Sequence, residues 1–293
     1  MTISTDRIIK RVLFNGKDIQ LIGEGSDVNR LPQMWNKTVV EIGAIDLKGV
    51  TVLPNRWQEN NTNLKKVELP EEIETLSDYC FNNCSSLEEL ILPDRLKNIS
   101  GISALNGIGV ERLVIPPTVT YIANTNQLAN CKRLKELIGL RSGPKRTTLS
   151  WGSDYVLSGV TTLETLQNFD LRSMSAITVG FIGNNKALAN CYLYSISTNI
   201  VLTSTALTVE SLIHTAKQLI NKAGTTSCTL TIGTTNREKI KNIYVKRITN
   251  ITEEMLADDD LIESKLPCEV CSSTDEGAML LEDYIFAKNW KLA

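Results

Sequence analysis

A basic excess is missing from this chain: 31 Lys and Arg stand against 33 Asp and Glu, for a net charge of −2. Nucleic acid is therefore not expected as the main partner, because phosphate binding needs positive charge in surplus somewhere on the surface. Aromatic residues make up only 5% of the 293 positions, which leaves few platforms for stacking bases or sugars. Histidine is almost absent. The single one, His214, follows Ile213 on an apolar-periodic segment and is expected at a helix boundary or the surface, not beside a nucleophile as a general base. No window approaches the run of about 18 apolar residues that a membrane helix requires, so no membrane insertion is expected. The opening Met1-Thr-Ile-Ser-Thr-Asp-Arg lacks a basic leader followed by an apolar stretch, so no secretory signal is expected either.

The chemistry-bearing motifs are equally thin. Seven cysteines are an odd number and form no dense framework; four of them (Cys80, Cys84, Cys131, Cys191) sit where a small buried apolar residue would serve, and they read as reduced thiols. Cys268-Glu-Val-Cys271 has redox or zinc spacing, but a zinc site needs four ligands and no second such pair exists. Asp258-Asp259-Asp260 lacks the alternation and the glycine turn of a calcium loop and reads as a solvated helix end. Neither a P-loop nor a dinucleotide-type glycine fingerprint occurs. We therefore expect no catalytic residue, no metal and no cofactor.

What the chain does have is periodicity. Val67-Glu-Leu69-Pro70, Leu90-Ile-Leu92-Pro93 and Leu113-Val-Ile115-Pro116 place their prolines 23 residues apart, twice. The rest of the unit repeats with them: Leu64, Leu87 and Val110; Ile73, Leu96 and Val119; Leu76, Ile99 and Ile122. Leu134-Lys-Glu-Leu137 continues the series, and Leu163-Glu-Thr-Leu166 restates it less clearly. Alternation puts Leu90 and Leu92 on the inner face of a short strand, which the proline then ends. A unit of this size cannot bury its own leucines, so neighbouring units must stack on one continuous core.

The stretch Leu69-Pro-Glu-Glu-Ile-Glu-Thr-Leu-Ser-Asp-Tyr-Cys-Phe81-Asn-Asn-Cys84-Ser-Ser-Leu87-Glu-Glu-Leu90 resembles the BspA-like leucine-rich repeat. Asn130-Cys131-Lys-Arg-Leu134-Lys-Glu-Leu137 matches its second half, and Ala189-Asn190-Cys191 is a fainter copy. The pattern is clearest over 64–140, although Phe81 is answered there by Ala104 and then Gln127, and it is degenerate over 141–207. The resemblance implies an α/β repeat: a leucine-rich-repeat solenoid with short strands, irregular or short-helical returns and a capping α/β C-terminal region.

Three regions are expected. Residues 1–40 form a cap or docking module, with apolar runs on either side of Asn15-Gly16 that signal a hairpin. Residues 41–207 are the solenoid. Residues 208–293 are a helix–strand cap with an acidic tail. In this last region Val209, Leu212, Ile213, Ala216, Leu219, Ile220 and Ala223 recur at helical spacing, with Thr208 as N-cap and Gly224 beyond the end. Cys228 to Gly233 alternates like a strand, and Thr274 is placed to cap a further helix begun by Asp275 and Glu276. From Ile251 to Asp283 eleven carboxylates meet only Lys265, a local charge of −10 that leaves +8 for the rest. Much of that surplus lies between Lys132 and Arg146, a basic stretch on which the acidic end could dock.

In each repeat strand the residues between the inward leucines face outward. One outward column is Lys66, Glu89, Arg112 and Glu136; the next is Glu68, Ile91, Val114 and Ile138. The second column is expected to form an apolar strip of the kind that marks an interface. These eight residues are the candidate partner-binding surface. BspA-like repeats imply a protein–protein interaction module, and the segment from Ser211 onward resembles the ends of tail and other virion proteins of bacteriophages that infect gut bacteria. Together they lead to the expectation of a non-enzymatic phage tail or fibre component made in the bacterial cytoplasm. Its partners would be other virion proteins or a host surface macromolecule, and it would act as a homo-oligomer or within a larger assembly. A bacterial surface adhesin and an intracellular scaffold are the alternatives.

Overall fold

The computed structural model describes residues 8–14, 19–24, 40–42, 53–119, 121–122, 126–142, 145–148, 150–151, 157–171, 185–249 and 268–293. The chain divides into two units, 1–140 with 150–160 and 141–149 with 161–293.

The first unit begins with β1 (Ile8–Phe14) and β2 (Ile19–Glu24), antiparallel from Ile8↔Glu24 to Phe14↔Ile19. Asn15 and Gly16, read as the turn, lie outside the described residues. The repeat then supplies one short strand per coil: β3 (Glu41–Ile42), β4 (Lys66–Glu68), β6 (Glu89–Ile91), β8 (Arg112–Ile115) and β10 (Glu136–Gly139). Parallel ladders join β3 to β4 to β6, and β8 to β10. The register is the one that the period dictates: Lys66 stands opposite Glu89, Glu68 opposite Ile91, Arg112 opposite Glu136 and Val114 opposite Ile138.

The returns are mostly turns and irregular segments, as expected, and within them two residues of each coil add a second row of strands. β5 (Thr75–Leu76), β7 (Asn98–Ile99), β9 (Tyr121–Ile122) and β13 (Ser150–Trp151) form one parallel sheet. The anchors Leu76, Ile99 and Ile122 are β-region residues buried from this side, and two residues per coil are enough to extend a ladder once the stack holds them in register. The core between the two rows is the leucine ladder itself. Leu64, Leu87, Val110, Leu134 and the inward set Leu69, Leu92, Ile115 are all buried.

A third row of backbone bonds closes each coil, and it runs one way. Arg56, Gln58 and Asn60 donate their N–H groups to the carbonyls of Asp78, Cys80 and Asn82; Tyr79, Phe81 and Asn83 donate to Ile102, Ala104 and Asn106; Gly107 donates to Ala129 and Asn130 to Ser158. The turns need left-handed residues at fixed places, which Asn60, Asn83, Gly107, Asn130 and Gly159 supply. Where Phe81 fills the core of one coil, Gln127 fills it two coils on. Its Oε1 accepts from the Ala104 N–H at 3.1 Å and its Nε2 donates to Gly101 O, so a polar residue is buried with its partners. The cysteines serve similarly: the Cys84 thiol donates to Gln58 O at 3.1 Å and the Cys131 thiol to Leu105 O at 3.3 Å, each 26 residues back.

In the second unit β11 (Arg141–Ser142) and β12 (Lys145–Thr148) pair antiparallel, while β12, β14 (Thr165–Asp170) and β15 (Asn190–Tyr194) run parallel. Helix α1 (Val209–Gln218) lies on β15, its N-cap Thr208 accepting from Ser211 N. Ser211 Oγ donates to Ala189 O and accepts from Cys191 N. The helix stops at Gln218, short of the Gly224 end expected from periodicity, because Leu219 is extended and Ile220 N turns to bond Ile196 O. β16 (Ile200–Val201), β17 (Cys228–Thr231) and β21 (Trp290–Leu292) form a parallel sheet. α2 (Gly233–Ile240) leads to β18 (Tyr244–Arg247), which pairs antiparallel with β19 (Cys268–Cys271) and β20 (Met279–Leu280). The helix expected after Thr274 forms later, as α3 (Leu281–Ala287). Ser272 to Ala278 is instead a turn, with Asp275 Oδ2 accepting from Ser272 N and Gly277 at φ +76. Among the described residues one lysine is wholly buried: Lys288 Nζ donates to Ala216 O, Lys217 O and Leu219 O at the C-terminal end of α1, 4.4 Å from the centre of the Tyr284 ring.

Candidate interaction face

The outward side chains of β4, β6, β8 and β10 form the candidate face, and their charges are set by the repeat register. Lys66 Nζ reaches Glu89 at 2.8 Å, and Arg112 Nε reaches Glu136 at 3.1 Å. The carboxylate of Glu89 holds the Lys66 amine above its ordinary pKa through a hydrogen bond and direct attraction. One position earlier, Lys65 lies 4.0 Å from Glu88, and Glu111 receives both Lys135 and Arg133 at 3.1 Å, which pulls its pKa down. Arg133 and Lys135 of the basic stretch are thus answered by the preceding coil. Such exposed pairs add little to stability; their importance is the pattern they present.

That pattern breaks once. At the position just before the strands the sequence of charges is Lys65, Glu88, Glu111, Lys135, so two carboxylates fall in neighbouring coils at the same repeat position. At this place the ladder is interrupted: β6 ends one sheet, β8 begins the next, and among the described residues no strand pairing joins them. A groove of about 450 Å³ opens along the seam, between Glu88, Glu89, Ile91 and Asp94 on one side and Arg112, Val114 and Leu140 on the other. Its floor reaches the leucine ladder. Leu90 and Leu92 are 7% and 8% exposed, whereas Val67, Leu113 and Ile115 at equivalent places are fully covered.

The fold frame is that of a known repeat. Residues 51–143 match the BspA type leucine rich repeat region, in six copies. Among solved structures the chain is similar to a leucine-rich repeat protein from Bacteroides ovatus at 16% identity, over 80% of this chain and 71% of that one, with a TM-score of 0.37. It is also similar to a leucine-rich repeat protein from Eubacterium ventriosum (11% identity, 76% and 78% covered, TM-score 0.36). A leucine rich cell surface protein from Faecalibacterium prausnitzii gives 14% identity, 79% and 88% covered, and a TM-score of 0.23. No curated protein matches the chain.

Of the eight candidate residues, four are held in register on β4 and β6 and four on β8 and β10, but the apolar strip is shorter than expected. Ile91 is 41% exposed and Val114 half-buried, while Ile138 is only 8% exposed. The reason is that β10 does not alternate: Leu137, Ile138 and Gly139 are all buried, so both faces of that strand are covered. Glu88, Asp94 and Leu140 were not among the candidates. The like-charge pair 23 residues apart, Glu88 and Glu111, was the readable signal for the seam.

The remaining motifs find structural employment. His214 is half-buried between the edges of Tyr192 and Tyr194, with Nε2 donating to Leu193 O at 2.9 Å. Cys268 and Cys271 sit three apart on a strand, which points them to opposite faces and away from a common ion. Burial pushes the thiols of Cys131 and Cys191 up to about 12 and that of Cys80 higher still, so none is a thiolate nucleophile at neutral pH. Among the described residues no helix is long and apolar enough to cross a membrane. Asp258, Asp259 and Asp260 and most of the acidic stretch lie outside the described residues; of the rest, Glu269 pairs with Lys246 at 3.1 Å and Glu282 with Arg237 at 3.3 Å.

Proposed function

We propose that this chain is a non-enzymatic binding module that presents the outward face of β4, β6, β8 and β10 to another protein. The supporting observation is the two registered strand pairs, Lys66–Glu89 with Glu68–Ile91 and Arg112–Glu136 with Val114–Ile138, on a frame whose inward leucines are buried. Outward residues on such a frame can vary without disturbing the core. Its place of action is a virion of a phage of gut bacteria, as a tail or fibre component engaged in host attachment, acting as a homo-oligomer or within a larger assembly. The Ser211–Ala293 resemblance favours this. The repeat itself favours a second setting, the bacterial cell surface, with a host macromolecule as partner.

Mass spectrometry of purified phage particles and of bacterial outer-surface fractions separates the two settings, and recovery from neither points to an intracellular scaffold. The binding face is tested by exchanging the cross-strand pairs together, as Lys66→Glu with Glu89→Lys and Arg112→Glu with Glu136→Arg. This keeps each pair but inverts the pattern shown to a partner. Association with the particle or cell fraction is expected to fall at least about tenfold while circular dichroism is unchanged, since like charges placed opposite one another cost several kcal/mol. Undiminished association would refute the assignment of this face.

A further inference from the structure

The seam between β6 and β8 has a chemistry of its own. Apolar side chains line its length: Leu90 and Leu92 below, Ile91, Val114 and Leu140 at the sides. Its rim carries three carboxylates, Glu88, Glu89 and Asp94, against one guanidinium. That guanidinium, Arg112, is already held by Glu136 at 3.1 Å, and Glu89 is held by Lys66 at 2.8 Å. Glu88 has only a distant lysine at 4.0 Å, and Asp94 is exposed with no ion pair among the described residues. An anionic group would meet carboxylates without a free cation. A purely apolar group would bury its way past Asp94 and Glu88 and leave them unanswered.

A group that fits both parts has an apolar stem and a cationic head, which describes a long basic side chain. The volume, about 450 Å³, lies within the range of about 300–1,000 Å³ that accommodates small organic groups. We propose that this groove is a socket for an exposed arginine or lysine of a partner protein, its stem against Ile91, Val114 and Leu140 and its charged end at Asp94. This rests on the outward repeat face being the binding surface, and it names the residue type that anchors there. The broken ladder gives the socket its depth: a continuous sheet would bring β6 and β8 into hydrogen-bond contact and seal the floor.

The test uses the full chain with ¹³C-labelled isoleucine, leucine and valine methyl groups and the peptide acetyl-Ala-Arg-Ala-amide as probe. Peptides with norleucine or glutamate in place of arginine are the controls. The arginine peptide is expected to shift the methyl signals of Ile91, Val114 and Leu140 in a saturable way, and Asp94→Asn is expected to weaken it about fivefold. Glu88→Gln should weaken it less. Equal shifts from the norleucine or glutamate peptide, unchanged affinity in Asp94→Asn, or no shift from any peptide would each overturn the socket. If the pair-exchanged variant loses particle or cell association while the peptides leave these methyls unmoved, the face stands and the socket alone falls.

Discussion

Lys288 is the most demanding residue in the second unit, and its replacement tests the physics most sharply. Burial lowers its amine from the ordinary 10.5 to about 7. Between those two values the unfolded chain binds a proton that the folded chain does not, so stability rises with pH over this window, up to roughly 5 kcal/mol in all. Below about 7 both states are charged and the dependence vanishes. The window is clean only in its lower part. Cys191, at about 12 when folded, and Cys268, also raised, release protons on unfolding once pH approaches 9, and they then reduce stability. From pH 7.0 to 8.5 the expected gain is roughly 1.5 kcal/mol. Lys288→Met keeps an unbranched side chain one atom shorter and removes the titrating group. It also strips the donor from Ala216 O, Lys217 O and Leu219 O, so the unit is weakened overall by a few kcal/mol but loses its pH slope. Urea titrations followed by ¹⁹F NMR of 5-fluorotryptophan at Trp290, a buried residue of the same unit, report this directly. A wild-type stability that is flat or falling from pH 7.0 to 8.5, or a slope that survives in Lys288→Met, would refute the reasoning.

Two further outcomes concern the repeat. A Cβ at Gly109 would lie 2.1 Å from the backbone oxygen of Ser85, so Gly109→Ala must push two coils apart and is expected to cost more than about 3 kcal/mol in urea denaturation. Gly224→Ala, at φ +77 in open space, is expected to cost only about 1 kcal/mol in the same assay. Gln127→Leu fills the core but strands the Ala104 N–H and the Gly101 carbonyl; a loss of about 1–3 kcal/mol and faster hydrogen exchange at Ala104 are expected.

The sequence made the front of the solenoid readable because three constraints coincide at one period: leucines for the core, a proline to end each strand, and outward residues between them. Register followed from that period without further information, down to the pairing of Lys66 with Glu89. The back sheet was less legible. Its strands are two residues long, and nothing in Thr75-Leu76 or Asn98-Ile99 distinguishes a ladder from a turn until neighbouring coils are stacked. Local signals misled at the other end. Thr274-Asp-Glu has the composition of a helix start, but Asp275 satisfies Ser272 N and Gly277 turns the chain away, so the helix waits for Leu281. The groove was legible only in part: Glu88 and Glu111 signal a mismatch, whereas the contributions of Asp94 and Leu140 depend on how the chain leaves its strands.

The one-way bonding of the turns has a further consequence for how such a stack can begin and end. In a β-ladder each strand offers donors and acceptors alternately on both edges, so its ends are alike. Here the bonds of this row run forward, from Arg56 to Asp78 and on to Asn130 and Ser158. Peptide dipoles arranged head to tail add along the axis. Each coil of this column therefore offers N–H groups to the coil after it and carbonyls to the coil before it. Shortening or lengthening the stack by whole coils preserves this inequality, and a lid built for one end is chemically wrong for the other.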